Sequence, residues 1–140
     1  MSQKINNRRK VVGAITVLLI MLLVNSQLNG QMIKGRLTSW HKTDTGNLVK
    51  GLKVIIVPRT PTNEKIVDNN FFWGDDQQQL NNMKAMVAFT DEEGYYYFSG
   101  VTTGRYILKV CYAYGMMYKF KIPDSNYKAM LIKNLPATYN

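Results

Sequence analysis

The stretch Thr90–Val110, TDEEGYYYFSGVTTGRYILKV, sets four aromatic residues in a row between two turn-forming clusters. In an extended strand successive side chains point to opposite faces, so Tyr96 and Phe98 fall together and Tyr95 and Tyr97 lie opposite them. The following segment, GRYILKVCYAY, puts Tyr106, Leu108, Val110, Tyr112 and Tyr114 on one face against Arg105, Ile107, Lys109 and Cys111. The face carrying Arg and Lys is expected to be the wetter one. Leu108 and Val110 then point inward, Val101 drops into the same core, and Tyr96 and Phe98 join them. Half of the aromatic quartet is thus core. Tyr95 and Tyr97 are left for the other face, where they can pair across strands or meet a planar ligand.

Short apolar and aromatic runs separated by Gly, Asn, Asp and Pro continue along the chain from Met32, the pattern of an all-β domain. Strands are expected at Met32–Trp40, at Gly51–Pro58 with Leu52, Val54 and Ile56 on one face, and at Met83–Thr90. Further strands are expected at Tyr95–Phe98, Arg105–Tyr114, Met116–Ile122 and Lys128–Ile132. Pro58 cannot donate to a ladder and closes the second of these. Seven strands suit a two-sheet sandwich around one buried layer.

Residues 60–82 break the pattern. PTNEKIVDNNFFWGDDQQQLNN is polar at both ends and is expected to be a long loop, with Phe71, Phe72 and Trp73 in its middle. Those three rings are the leading candidates for recognition. They could fold back as a lid over the sandwich, enter a protein interface, or stack on a sugar. The candidate contact residues are therefore Phe71, Phe72, Trp73, Tyr95 and Tyr97.

The front of the chain reads as targeting. Asn6-Asn7-Arg8-Arg9-Lys10 is a basic opening, Val11–Val24 is a largely apolar run of 14 without charge, and polar NSQLNGQ follows. That is the layout of a secretory signal peptide over residues 1–30, with cleavage expected after Ser26 or Gly30 and an uncleaved anchor as the alternative. The apolar run is short for a spanning helix, which wants about 20 residues. Four of the 18 Lys and Arg lie in this leader, so residues 31–140 carry 14 against nine acidic residues, a net +5 of the formal +9. Such a balance can attract anionic surfaces or polysaccharides. No basic run accompanies a nucleic-acid module, and export argues against that partner.

The central motif also supports a resemblance. Thr90-Asp91, two residues, Gly94, alternating aromatics, a small-residue connector, then Gly104-x-Tyr106-x-Leu108-x-Val110 resembles the carboxypeptidase regulatory-like domain family. Ile33, Gly35 and Leu37 match its opening strand. Thr45-Gly46 and Val49-x-Gly51-x-x-Val54 match its first turn and second strand. The resemblance implies a seven-stranded Ig-like or prealbumin-like β-sandwich over residues 31–140, similar to transthyretin and carrying a long insertion at 60–82. It also implies company with exported Bacteroidetes envelope proteins, in the periplasm or at the outer membrane and cell surface of a Gram-negative bacterium. An anchored leader would hold the domain at the inner membrane instead.

Catalysis is poorly served by this composition. One histidine, His41, cannot supply a zinc carboxypeptidase's ligands, and a transthyretin-related hydrolase would be expected to carry several. Cys111, the only cysteine, is expected as a buried thiol in a strand. Asp75-Asp76 and Asp91-Glu92-Glu93 lack EF-hand spacing, and Asp91 is expected to shape the turn before Gly94. The chain is thus expected to be a non-enzymatic module acting through protein contacts or as a structural accessory of the cell envelope, without metal or cofactor, with a small hydrolase of the transthyretin-related type as the last alternative. Its partner is expected to be an envelope protein, with a polysaccharide as the alternative.

Overall fold

The computed structural model describes residues 30–38, 49–124, 129–132 and 134–137; from Gln31 onward these belong to one compact unit, Gln31–Asn140. The expected leader, His41 and the turn around Thr45-Gly46 lie outside the described residues.

In chain order the elements are β1 (Gln31–Thr38), β2 (Lys53–Pro58), α1 (Pro61–Val67), α2 (Gln77–Asn82), β3 (Met86–Phe89), β4 (Tyr95–Val101), β5 (Gly104–Val110), β6 (Met117–Ile122), β7 (Ala129–Leu131) and β8 (Leu135–Pro136). One sheet runs β4-β1-β7, with β8 also on β1; the other runs β3-β2-β5-β6. β7 pairs in parallel with Met32–Lys34 and β8 with Leu37–Thr38, so the two are pieces of one interrupted edge strand. Counted that way, the described strands are seven and the fold is an Ig-like, prealbumin-type sandwich.

Alternation places the main core as expected. Ile33, Leu37, Val54, Ile56, Tyr96, Phe98, Val101, Tyr106, Leu108 and Val110 are all buried between the sheets. Gly35 lies directly across from Tyr96 in the β1–β4 register, and an added Cβ there would sit 2.0 Å from the Tyr96 hydroxyl. The glycine thus leaves the room that the Tyr96 ring fills. That hydroxyl is buried without a hydrogen-bond partner among the described residues, and burial raises its pKa. Asp91 shapes the β3–β4 turn as expected: its Oδ1 accepts from the backbone N–H of Glu93 and of Tyr95, each at 2.9 Å.

Four expectations are corrected. Residues 60–82 are not a loop throughout, because α1 and α2 lie inside them. Thr60 caps α1, its Oγ1 accepting from Asn63 N at 3.1 Å with Pro61 in the first turn, and Asp76 caps α2 through Gln79 N at 3.0 Å. Second, Ile107, Lys109 and Cys111 do not face water. Val67 of α1, Phe72, Leu80 of α2 and Met83 pack with Ile55, Val57, Ile107 and Cys111 into a second core on the outer face of the β3-β2-β5-β6 sheet. Buried Asn63 ties that layer together, donating through Nδ2 to Pro58 O at 2.8 Å and to Met83 O at 3.2 Å. Third, β5 ends at Val110, so Tyr112 and Tyr114 leave the inward face and lie exposed in the hairpin to β6. Fourth, the strand expected from Met83 begins only at Met86, because Met83 caps α2.

Candidate functional site

Between the two short helices the segment 68–76 crosses the second core, and its three rings divide. Phe72 is buried among Val67, Leu80, Met83 and Cys111, which removes it from the candidate contact residues. Its neighbours point the other way: Phe71 is 59% exposed and Trp73 45%. Exposed rings of the β5–β6 hairpin meet them edge to face. Phe71 and Tyr114 have centroids 5.6 Å apart at 61°, and Trp73 and Tyr112 are 6.0 Å apart at 79°. Such contacts contribute roughly 0.5–1.5 kcal/mol beyond burial, enough to bias each ring toward one orientation.

Backbone and polar contacts fasten the two segments beneath these rings. Asn69 Oδ1 accepts from Phe71 N at 2.9 Å, Tyr114 N donates to Asn70 O at 3.0 Å, and Lys53 Nζ donates to Gly74 O at 2.9 Å and pairs with Asp75. Tyr114 holds a positive φ of 58°, a conformation that costs a non-glycine residue about 1–3 kcal/mol and persists only where the surroundings impose it. On the hairpin's inner side Lys109, only 2% exposed, donates from Nζ to Gly115 O at 2.8 Å. Burial lowers its pKa. The ridge is therefore a preorganised surface of four rings, two from the insertion and two from a hairpin distant in sequence.

Beneath the ridge Cys111 is no nucleophile, since burial pushes its thiol up to about 11. Because an unfolded cysteine titrates near about 8.5, the folded chain keeps a proton that the unfolded chain releases. This contribution to stability is complete below about pH 8.5 and is lost as pH rises through the folded value. Between pH 7.5 and 10.5 the wild type should lose about 2 kcal/mol more than Cys111→Ala in urea denaturation. Lys109, with its lowered value, moves stability upward over the window just below about 10.4, and its interaction with the thiolate is lost in Cys111→Ala. Parallel losses in the two would mean that the thiol is not buried as described.

The other two candidate residues occupy a separate face. Tyr95 and Tyr97 stand on the outer face of the β4-β1-β7 sheet, on the opposite side of β4 from buried Tyr96 and Phe98. No group of three or more His, Cys, Asp or Glu among the described residues is placed to hold a metal ion.

Sequence reasoning missed Tyr112 and Tyr114 as site residues because it carried β5 too far. Gly115, four residues before the Lys119-Phe120 pair of the next strand, was the available sign that the chain turns there.

No family model and no curated protein matches the chain. Solved structures do match. A Pseudomonas aeruginosa protein proposed to bind carbohydrate aligns with a TM-score of 0.50 and 16% identity, over 77% of this chain and 90% of that one. The Bacillus cereus major pilin subunit BcpA aligns at 0.48 and 14%, over 79% of this chain and 30% of the pilin. A Streptococcus agalactiae minor pilin aligns at 0.45 and 20%, over 81% and 47%. The chain thus spans 30% and 47% of these two pilins, under half of each. The likeness is one of fold.

Proposed function

We propose that this chain is a non-catalytic binding module, exported to the bacterial cell envelope, that docks a protein partner through the ridge formed by Phe71, Trp73, Tyr112 and Tyr114. The observation that carries the reading is the pair of exposed edge-to-face ring contacts, held on segments joined by the backbone hydrogen bond from Tyr114 N to Asn70 O. Large rings fixed in place before binding lose little freedom on association, and Trp and Tyr dominate interface energies for that reason. The basic opening and 14-residue apolar run support export. The Thr90–Val110 motif and the prealbumin-type sandwich support kinship with carboxypeptidase regulatory-like domains of envelope proteins.

Cross-linking in native envelope, followed by capture and identification of the partner, tests this directly. Trp73→Ala should abolish capture while costing less than about 1 kcal/mol in stability, because the indole is half-exposed. Undiminished capture by Trp73→Ala and by Tyr112→Ala would overturn the ridge as the docking site. A glycan is the second occupant to test, since the Pseudomonas protein of like fold is proposed to bind carbohydrate and an exposed indole can stack on a sugar ring. A glycan array on wild type and Trp73→Ala separates the two, binding of neutral sugars disappearing with the indole.

A further inference from the structure

A second face of the molecule gathers cations on aromatic rings. In the β1–β4 register Lys34 lies across from Tyr97 and Arg36 across from Tyr95. Lys34 Nζ stands 4.5 Å from the Tyr95 ring centre and 5.5 Å from that of Tyr97, and the Arg36 guanidinium stands 5.1 Å from the Tyr95 ring centre. Two positive groups therefore converge on one ring. Neither forms an ion pair with a carboxylate among the described residues. In the neighbouring turn the Asp91 carboxylate accepts from its own backbone and Glu92 pairs with Lys50, while Arg36 Nε donates to the backbone oxygen of Glu93 at 2.8 Å.

The ring faces attract the cations, which holds like charges near each other on a flat strand surface. An anion placed between them relieves that repulsion and takes up their free N–H donors. Beside them Tyr97 is 48% exposed, while Tyr95 is more enclosed. Its ring lies 6.5 Å from that of Tyr95 with a tilt of 32°, so the two are side by side rather than stacked on one another. Tyr95 acts as the main positioning ring for the cations, and Tyr97, farther from Lys34 Nζ and more exposed, is the platform.

The geometry points to a binding site for an acidic polysaccharide, in which Tyr97 stacks on a sugar ring and Lys34 with Arg36 takes the carboxylate of a uronic acid. Charge complementarity selects the acidic class: neither cation pairs with a carboxylate among the described residues, and residues 31–140 carry a net charge of +5. Phosphate-rich single strands present the same pair of features, a ring and an anion. The acidic glycan is favoured because the leader directs the chain out of the cytoplasm, away from nucleic acid. To that extent the choice rests on the proposed export. The site itself does not rest on the ridge, which belongs to the other sheet's side of the sandwich.

Affinity electrophoresis of the full chain through polygalacturonate, through neutral dextran and in the presence of single-stranded DNA tests the site. Wild type should be retarded by polygalacturonate and not by dextran, with retardation falling as salt is raised. Tyr97→Ala and Lys34→Gln should each weaken binding at least tenfold with an unchanged melting midpoint, and Lys34→Arg should restore most of it. Trp73→Ala should bind as wild type does, so failure here and failure of the ridge are told apart. Retardation by dextran equal to that by polygalacturonate would overturn the proposal. So would an equal loss in Lys121→Gln, an exposed lysine on β6, or tighter binding of the DNA.

Discussion

Gly115→Ala should be among the most damaging single-methyl changes the chain can suffer. A Cβ at that position would stand 2.0 Å from Val110 O and 2.8 Å from Tyr112 O, both backbone atoms that cannot swing aside. Room can be made only by opening the hairpin, and two hydrogen bonds that close it, Gly115 N to Tyr112 O and Val110 N to Met116 O, would go with it. The Lys109 ammonium would also lose Gly115 O, its buried acceptor. Overpacking of this kind costs roughly 1–3 kcal/mol, and stripping a buried charge of its partner adds about 3 or more, so a loss of about 4 kcal/mol or greater is expected. Chemical denaturation reads this loss. Lys109→Met in the same background should recover part of it, because no buried charge is then left unpaired. A loss under about 1 kcal/mol for Gly115→Ala would show that the hairpin is not closed as described.

Removing a ring from either core should cost about 3–5 kcal/mol, through lost transfer energy and the cavity left behind. Phe98→Ala tests the layer between the sheets, where the ring packs edge to face on Tyr96 at 6.0 Å. Phe72→Ala tests the layer under the helices, where the same ring also anchors the segment that presents Phe71 and Trp73. Tyr97→Ala, on the open face of the same strand as Phe98, should cost about 0.5 kcal/mol or less. Equal losses for Phe98→Ala and Tyr97→Ala would mean that β4 is buried on both faces. A small loss for Phe72→Ala would mean that the second core contributes little and that the insertion is a passenger.

The insertion shows where a pattern of residues stops carrying information. α1 and α2 have seven and six residues, too short for a 3.6-residue period to declare itself. Their start signals were nonetheless present: Thr60-Pro61 is a capping residue before a proline at the first helical position, and Asp76 stands directly before Gln77–Leu80. A second sign lay in β2. Val54, Ile55, Ile56 and Val57 are apolar without interruption, and all four are buried. A strand of an antiparallel sheet with one wet face alternates, so an unbroken run means that something covers both faces. Lys109 pointed the other way. Its charge marked the face as solvated, yet the ammonium is buried against the carbonyl of Gly115, six residues on.

The partition of Phe71, Phe72 and Trp73 was not open to any reading of residue types, since three large rings in sequence carry no strand or helix period of their own. Only the packing of α1 and α2 on the sheet settles which ring goes in. The pairing of Phe71 with Tyr114 and of Trp73 with Tyr112 joins residues some forty positions apart, and no local rule links them.

What the sequence determined by itself was the sandwich: alternation in Tyr95–Phe98 and Gly104–Val110 sorts side chains by face, because the pleat has a period of two and only one face can meet the other sheet. The Asp91 turn and the proline ending β2 were equally local, being consequences of one or two residues' own chemistry. Tertiary structure alone decided that the outer face of the β3-β2-β5-β6 sheet is dry, that Lys109 is buried, and that four rings converge on one ridge. Those outcomes depend on segments remote in sequence meeting across a sheet, and the area that their meeting removes from water is visible only once they have met.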